Sequence, residues 1–106
     1  MVINMEPSSL MLSASRALWG IITPNVRKVS VDVKKNVICI HFYYNNDPNE
    51  TEIELSEEAA TEIIADFPEP FLIECERKVF SFPEYVKVEG YLIYSRYEPN
   101  PEEDSL

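Results

Sequence analysis

The 106-residue chain reads as an α+β fold: a single domain with an antiparallel sheet of about four strands and two helices, in the order α-β-β-α-β-β. Three observations predict it. Two segments carry an apolar stripe at helical spacing, several others alternate apolar and polar residues as half-buried strands do, and the links between them are short and rich in Asn, Pro and Lys. Such links favour hairpins, hence an antiparallel sheet with the helices on one face. The domain is expected over residues 1–97. Residues 98–106, EPNPEEDSL, are acidic with no apolar side chain before Leu106, and a disordered tail is expected there.

The first helix should be capped by Ser8 or Ser9 and run to about Gly20, with Leu10, Ala14, Ala17, Leu18 and Ile21 forming its buried stripe. Leu12, Arg16 and Trp19 lie on another side. Because large aromatics in small domains are usually core, Trp19 is expected at the core edge, the alternative being an exposed anchor for a partner. Thr23-Pro24-Asn25 is turn chemistry. In the strand VRKVSVDVK, Val29, Val31 and Val33 alternate with Lys28, Ser30, Asp32 and Lys34. A turn at Lys34-Lys35-Asn36 leads into VICIHFYY, apolar on both faces and therefore central.

After the loop Asn45 to Asn49, Thr51 to Leu55 is expected to stay extended before Ser56 caps a second helix reaching about Asp66, with Ala60, Ile63, Ile64 and Phe67 buried. Pro68 ends that helix, and Pro70 keeps the chain extended into a third strand, FLIECERKVF. In it Phe71, Ile73, Cys75 and Val79 alternate with Glu74, Glu76 and Lys78. Tyr85 to Tyr97 supplies a last strand, broken by a bulge at Gly90.

The charge balance narrows the function. Nine basic and nineteen acidic side chains give a formal net charge of −10, which disfavours direct nucleic-acid binding and attracts a basic partner such as a phosphate-holding nuclease domain. Cys39 and Cys75 are too few and too far apart for a zinc site or a disulfide scaffold, so reduced thiols are expected. No run approaches a membrane span and the N-terminus has no signal-peptide pattern, which makes the cytoplasm the expected compartment. With Gly20 and Gly90 as the only glycines, no phosphate-cradling loop is possible. His41, the single histidine, has no nucleophile at a revealing spacing and is expected to be a sheet residue with a satisfied ring. No catalytic residue, metal or cofactor is assigned; Asp47 to Glu54 lacks the glycine and terminal glutamate of a calcium loop.

The acids are concentrated. Eleven of the nineteen lie between Asn45 and Glu76, a stretch with no Lys or Arg. Glu54, Glu58, Glu62 and Asp66 are each four apart, a single stripe of like charge if the helix begins early enough. The bland reading is a solvated face. The sharper one is a docking surface for a basic partner, with Glu50, Glu54, Glu57, Glu58, Glu62 and Asp66 as its contacts, together with the loop Asp47 to Glu52. Adjacent Tyr43 and Tyr44 must point to opposite sheet faces, so one should lie off the main core, and both are candidate contacts near the acids.

At ITPNVRKVSVDV, HFYYNNDPNETE and TEIIADFPEP the sequence resembles a family of small acidic bacterial proteins that includes immunity proteins of contact-dependent growth-inhibition (polymorphic toxin) systems. The resemblance covers about Leu10 to Tyr97. It implies a cytoplasmic, non-catalytic protein that binds the toxic C-terminal domain of a cognate effector, often a nuclease, and covers its active site. Immunity proteins diverge where they touch their toxins, so no binding residue is carried over from the family. A monomer or weak homodimer is expected, and a non-catalytic domain that homodimerises through a sheet edge is the alternative.

Overall fold

The computed structural model describes residues 5–99. The elements are α1 (Pro7–Ala17), β1 (Val26–Lys34), β2 (Val37–Tyr44), α2 (Glu50–Ala65), β3 (Leu72–Val79) and β4 (Tyr91–Ser95). The expected tail from residue 98 is described only as far as residue 99, and its remainder lies outside the described residues.

α1 begins one residue before the serines expected to cap it. Pro7 occupies the first helical position, where its missing N–H costs nothing, and Glu6 is the N-cap residue, in extended conformation and without a side-chain capping bond. Leu10, Ala14, Ala17 and Leu18 are buried, and Ile21 packs against them in part. Trp19 is not at the core edge: it is 80% exposed just past the helix, while Leu18 before it and Ile21 after it take the inward positions.

β1 and β2 form the expected hairpin, closed by Lys35 and Asn36, both at positive φ. α2 departs from expectation at its start. Thr51 to Leu55 is helical, because Asn49 accepts a bond from the Glu52 backbone N–H while the Glu52 carboxylate accepts one from the Asn49 N–H. This reciprocal capping box starts the helix seven residues before the hydroxyl of Ser56 could, and Ser56 is buried mid-helix, bonding the Ile53 carbonyl.

That longer helix also corrects the sheet. The order is β3-β2-β1-β4, with β1 antiparallel to β2 and β4 but β3 parallel to β2. The sheet is mixed because a sixteen-residue helix returns the chain to the end of the sheet where β2 began, as in a βαβ unit, whereas a short link would have made a hairpin.

Both helices cover one face. Val29, Val31, Ile38, Ile40, Phe42 and Tyr44 meet Leu10, Ala14, Ala59, Ala60 and Ile63 in a single cluster, with Ile73 and Cys75 at its margin. Val79, expected on that face, is exposed. Since β3 and β4 are opposite edges, the link between them must cross the sheet, and residues 80–90 do so over the other face. There Phe80 packs on the Tyr43 ring at 5.9 Å between centroids, Val86 is buried, and the Ser30 hydroxyl donates to the Glu89 carbonyl at 2.6 Å. The last strand is therefore shorter than expected, since residues 85–90 are still crossing that face before pairing begins at Tyr91.

Candidate functional site

The early start of α2 makes its acids one surface. Glu50, Glu54, Glu58, Glu62 and Asp66 repeat every four residues from the first turn to the C-cap, all exposed, with Glu57 beside them. Neighbouring like charges at this spacing cost about 0.2–0.5 kcal/mol per pair. Partial relief comes from outside the helix: Arg77 of β3 bonds Glu57 at 2.9 Å, and Asp66 accepts from the Ser13 hydroxyl at 2.6 Å and lies 3.7 Å from Arg16. Glu54, Glu58 and Glu62 have no ion pair among the described residues, and they form the unneutralised centre of the stripe.

Glu52, part of the loop proposed from sequence as docking surface, is structural instead. It is buried, accepts from the Thr23 hydroxyl and the Asn25 amide, and completes the capping box. Tyr43 and Tyr44 are also corrected, because both side chains are buried and neither can be a surface contact. Tyr44 lies in the helix-side core, where burial pushes its hydroxyl up to about 12. Tyr43 faces the other side, as alternation requires, but the crossing segment covers it and its hydroxyl accepts the Glu89 N–H at 2.9 Å.

Trp19, expected at the core edge, is exposed instead. Leu12, Arg16 and Trp19 fall at i, i+4 and i+7, and Leu12 and Trp19 are exposed. The Arg16–Asp66 contact joins α1 to the C-terminal end of the acidic stripe, and the exposed Trp19 follows Arg16 by three residues, just past the helix. Assigning Leu12 and Trp19 to a side of the helix away from Leu10 and Ala14 was the available signal.

The opposite face of the sheet holds a second constellation. Cross-strand pairing puts Asp32 beside Cys39 and Glu76 beside His41, while Glu74 flanks Cys39 from β3. These residues, with Lys34, Val37, Lys78 and Glu89, line a cavity of about 400 Å³ in the part of the face the crossing segment leaves open. The His41 ring is not satisfied as expected. Nδ1 is 3.1 Å from a Glu76 carboxylate oxygen, but Nε2 is buried without a hydrogen bond. Burial, reinforced by the charges of Glu76, Asp32 and Glu74, pushes the Cys39 thiol up to about 12. Both cysteines are free thiols. No helix among the described residues is long and apolar enough to cross a membrane.

Comparison with known proteins matches residues 7–98 to the family described as MafI2 immunity protein. No curated protein matches the chain.

Proposed function

The chain belongs to the MafI2 immunity protein family, and we propose on that premise that it neutralises a cognate toxin domain with the outer face of its two helices. The unneutralised stripe Glu54, Glu58 and Glu62 carries this reading. A nuclease is the toxin class that fits it best, because a cleft built to hold phosphates presents Lys and Arg to a row of carboxylates. Trp19 is the desolvated anchor at the end of that row, and the cytoplasm is where such a toxin would be met.

The acidic stripe acts first on the rate of encounter. Reversing Glu54, Glu58 and Glu62 to Lys should slow association with the cognate toxin domain by roughly 10²-fold at low salt and remove most of its salt dependence. The helix should survive, since the reversal leaves the capping box and the buried Ala59, Ala60 and Ile63 untouched. Stopped-flow association at two ionic strengths measures both quantities, and an unaltered rate would sink the acidic-face mechanism.

Trp19 should act on dissociation instead. Trp19→Ala removes a large side chain that is 80% exposed in the free protein, so the thermal midpoint should stay within about a degree while the complex weakens at least about tenfold through a faster off-rate. Surface plasmon resonance separates the two rates. An unchanged off-rate would place the interface elsewhere.

A second reading rests on β4, a five-residue edge strand with Tyr91 and Leu92 exposed. Such an edge can pair with a second copy of itself. Sedimentation at two concentrations distinguishes it: a sedimentation coefficient rising with concentration supports self-association, and a constant monomer removes it.

A further inference from the structure

The geometry points to a site for a divalent transition-metal ion, of the zinc type, formed by Asp32, Cys39 and His41 on the sheet face opposite the helices. The register of the β1–β2 hairpin makes Asp32 and Cys39 direct cross-strand partners, and His41 follows Cys39 by two residues on the same face. One ligand atom from each of the three lies within 4.8 Å of the others. A carboxylate oxygen, a thiolate and an imidazole nitrogen are the mixed donor set that zinc accepts, with bonds of about 2.0–2.3 Å. In a tetrahedral site such bonds set neighbouring donors about 3.3–3.6 Å apart. The His41 Nε2 to Asp32 Oδ2 distance is 3.5 Å.

The histidine is the independent observation. Its side chain is 5% exposed, and Nε2 faces Asp32 without hydrogen bonding it. Glu76 lies against the other nitrogen, Nδ1, at 3.1 Å. A carboxylate that accepts the Nδ1–H leaves the Nε2 lone pair aimed at Asp32, the arrangement in which metal-bound imidazoles are held, and the Cys39 sulfur lies at the edge of the same ring, 3.9 Å from Nδ1. Two acceptors 3.5 Å apart repel each other, and a cation between them removes the conflict. On binding, the metal replaces the Cys39 thiol proton, which passes to solvent, and a further coordination position faces the cavity lined by Glu74 and Glu89.

The competing account of the same contacts is a doubly protonated His41 held between Asp32 on one side and Glu76 and Glu89 on the other, with no metal. Cobalt titration of the untagged, full-length, reduced protein separates the two. One equivalent of Co²⁺ should produce a thiolate-to-cobalt charge-transfer band in the near ultraviolet together with tetrahedral d–d bands in the visible, and Zn²⁺ should displace both. Cys75→Ser should keep the bands and Cys39→Ser should lose them. Asp32→Asn, isosteric at a partly exposed position, should weaken Co²⁺ at least about tenfold, and Glu76→Gln should weaken it by about 10–100-fold with the bands retained. If Cys39→Ser does not fold, those two variants carry the test. Absence of any band at stoichiometric Co²⁺, a band that follows Cys75 rather than Cys39, or unchanged affinity in Asp32→Asn and Glu76→Gln would overturn the site.

Discussion

Arg27→Ala should destabilise the protein by about 3 kcal/mol in urea unfolding, one of the two largest single-residue effects expected in this chain. Arg27 is 3% exposed and holds three separate pieces of chain together. Its Nε and Nη2 donate to the two Glu98 oxygens at 2.7 and 2.9 Å, its Nη1 donates to the Phe80 and Glu84 carbonyls, and its guanidinium lies 5.6 Å from the centre of the Phe82 ring. Truncation leaves two carbonyls without their donor and releases both the crossing segment and the chain after β4. The loss stays below that of a wholly buried pair because Glu98 keeps Arg96 at 2.8 Å. Arg27→Lys should recover little, since an ammonium cannot match the fork.

Glu98 supplies the pH dependence of the same clamp. The Arg27 hydrogen bond, aided by Arg96, holds its carboxyl down at about 2 against an ordinary value of 4.5. A depressed carboxyl contributes stability that is fully present above the ordinary value and is lost as pH falls toward the folded one. Unfolding free energy should therefore decline between about pH 4.5 and pH 2 in the wild type, and Glu98→Gln should flatten that decline. Parallel acid titrations of the two proteins would refute the clamp.

Glu98 also shows where the sequence stopped being legible. Its composition reads as tail, and nothing in EPNPEEDSL reveals an arginine seventy-one positions earlier. Arg27 itself sits where the β1–β2 register shifts, between Val26 and Lys28, so it leaves the simple alternation that placed Val29, Val31 and Val33 correctly. Periodicity was enough for the hairpin and for the buried stripe of α1, because each is decided by neighbours in sequence. It was not enough for the parallel pairing of β3, which followed from the length of α2 and thus from a capping box whose two members were both read as loop. The acidic surface was legible as charge because exposure of carboxylates is the default. Trp19, Tyr43 and Tyr44 were not, since an aromatic's burial depends on which element crosses over it. The Asp32, Cys39 and His41 grouping was hidden for a related reason: Asp32 and Cys39 are seven positions apart in sequence, and only the hairpin register makes them neighbours.

Gly90→Ala should be at least as damaging as Arg27→Ala, costing about 3–5 kcal/mol or preventing folding, whereas Gly20→Ala should cost only about 1 kcal/mol. Both glycines have positive φ, +81° and +77°, so the conformational penalty for alanine is shared. The surroundings differ. A Cβ at Gly20 would meet nothing within 4 Å, but at Gly90 it would lie 2.3 Å from the Val31 carbonyl oxygen and 2.7 Å from the Asp32 Cβ. Val31 and Asp32 belong to β1, paired on both sides by β2 and β4, so that backbone cannot withdraw and the link at residues 80–90 must lift instead. Lifting it breaks the Glu89 bonds to Ser30 and Tyr43 and uncovers the sheet face that carries Asp32, Cys39 and His41. The helices lie on the other face. Any folded fraction of Gly90→Ala should then bind toxin with near-normal kinetics while its melting midpoint falls sharply, a separation that calorimetry and stopped-flow association would measure on one preparation. Equal midpoints for the two alanine variants would show that the link does not press on β1.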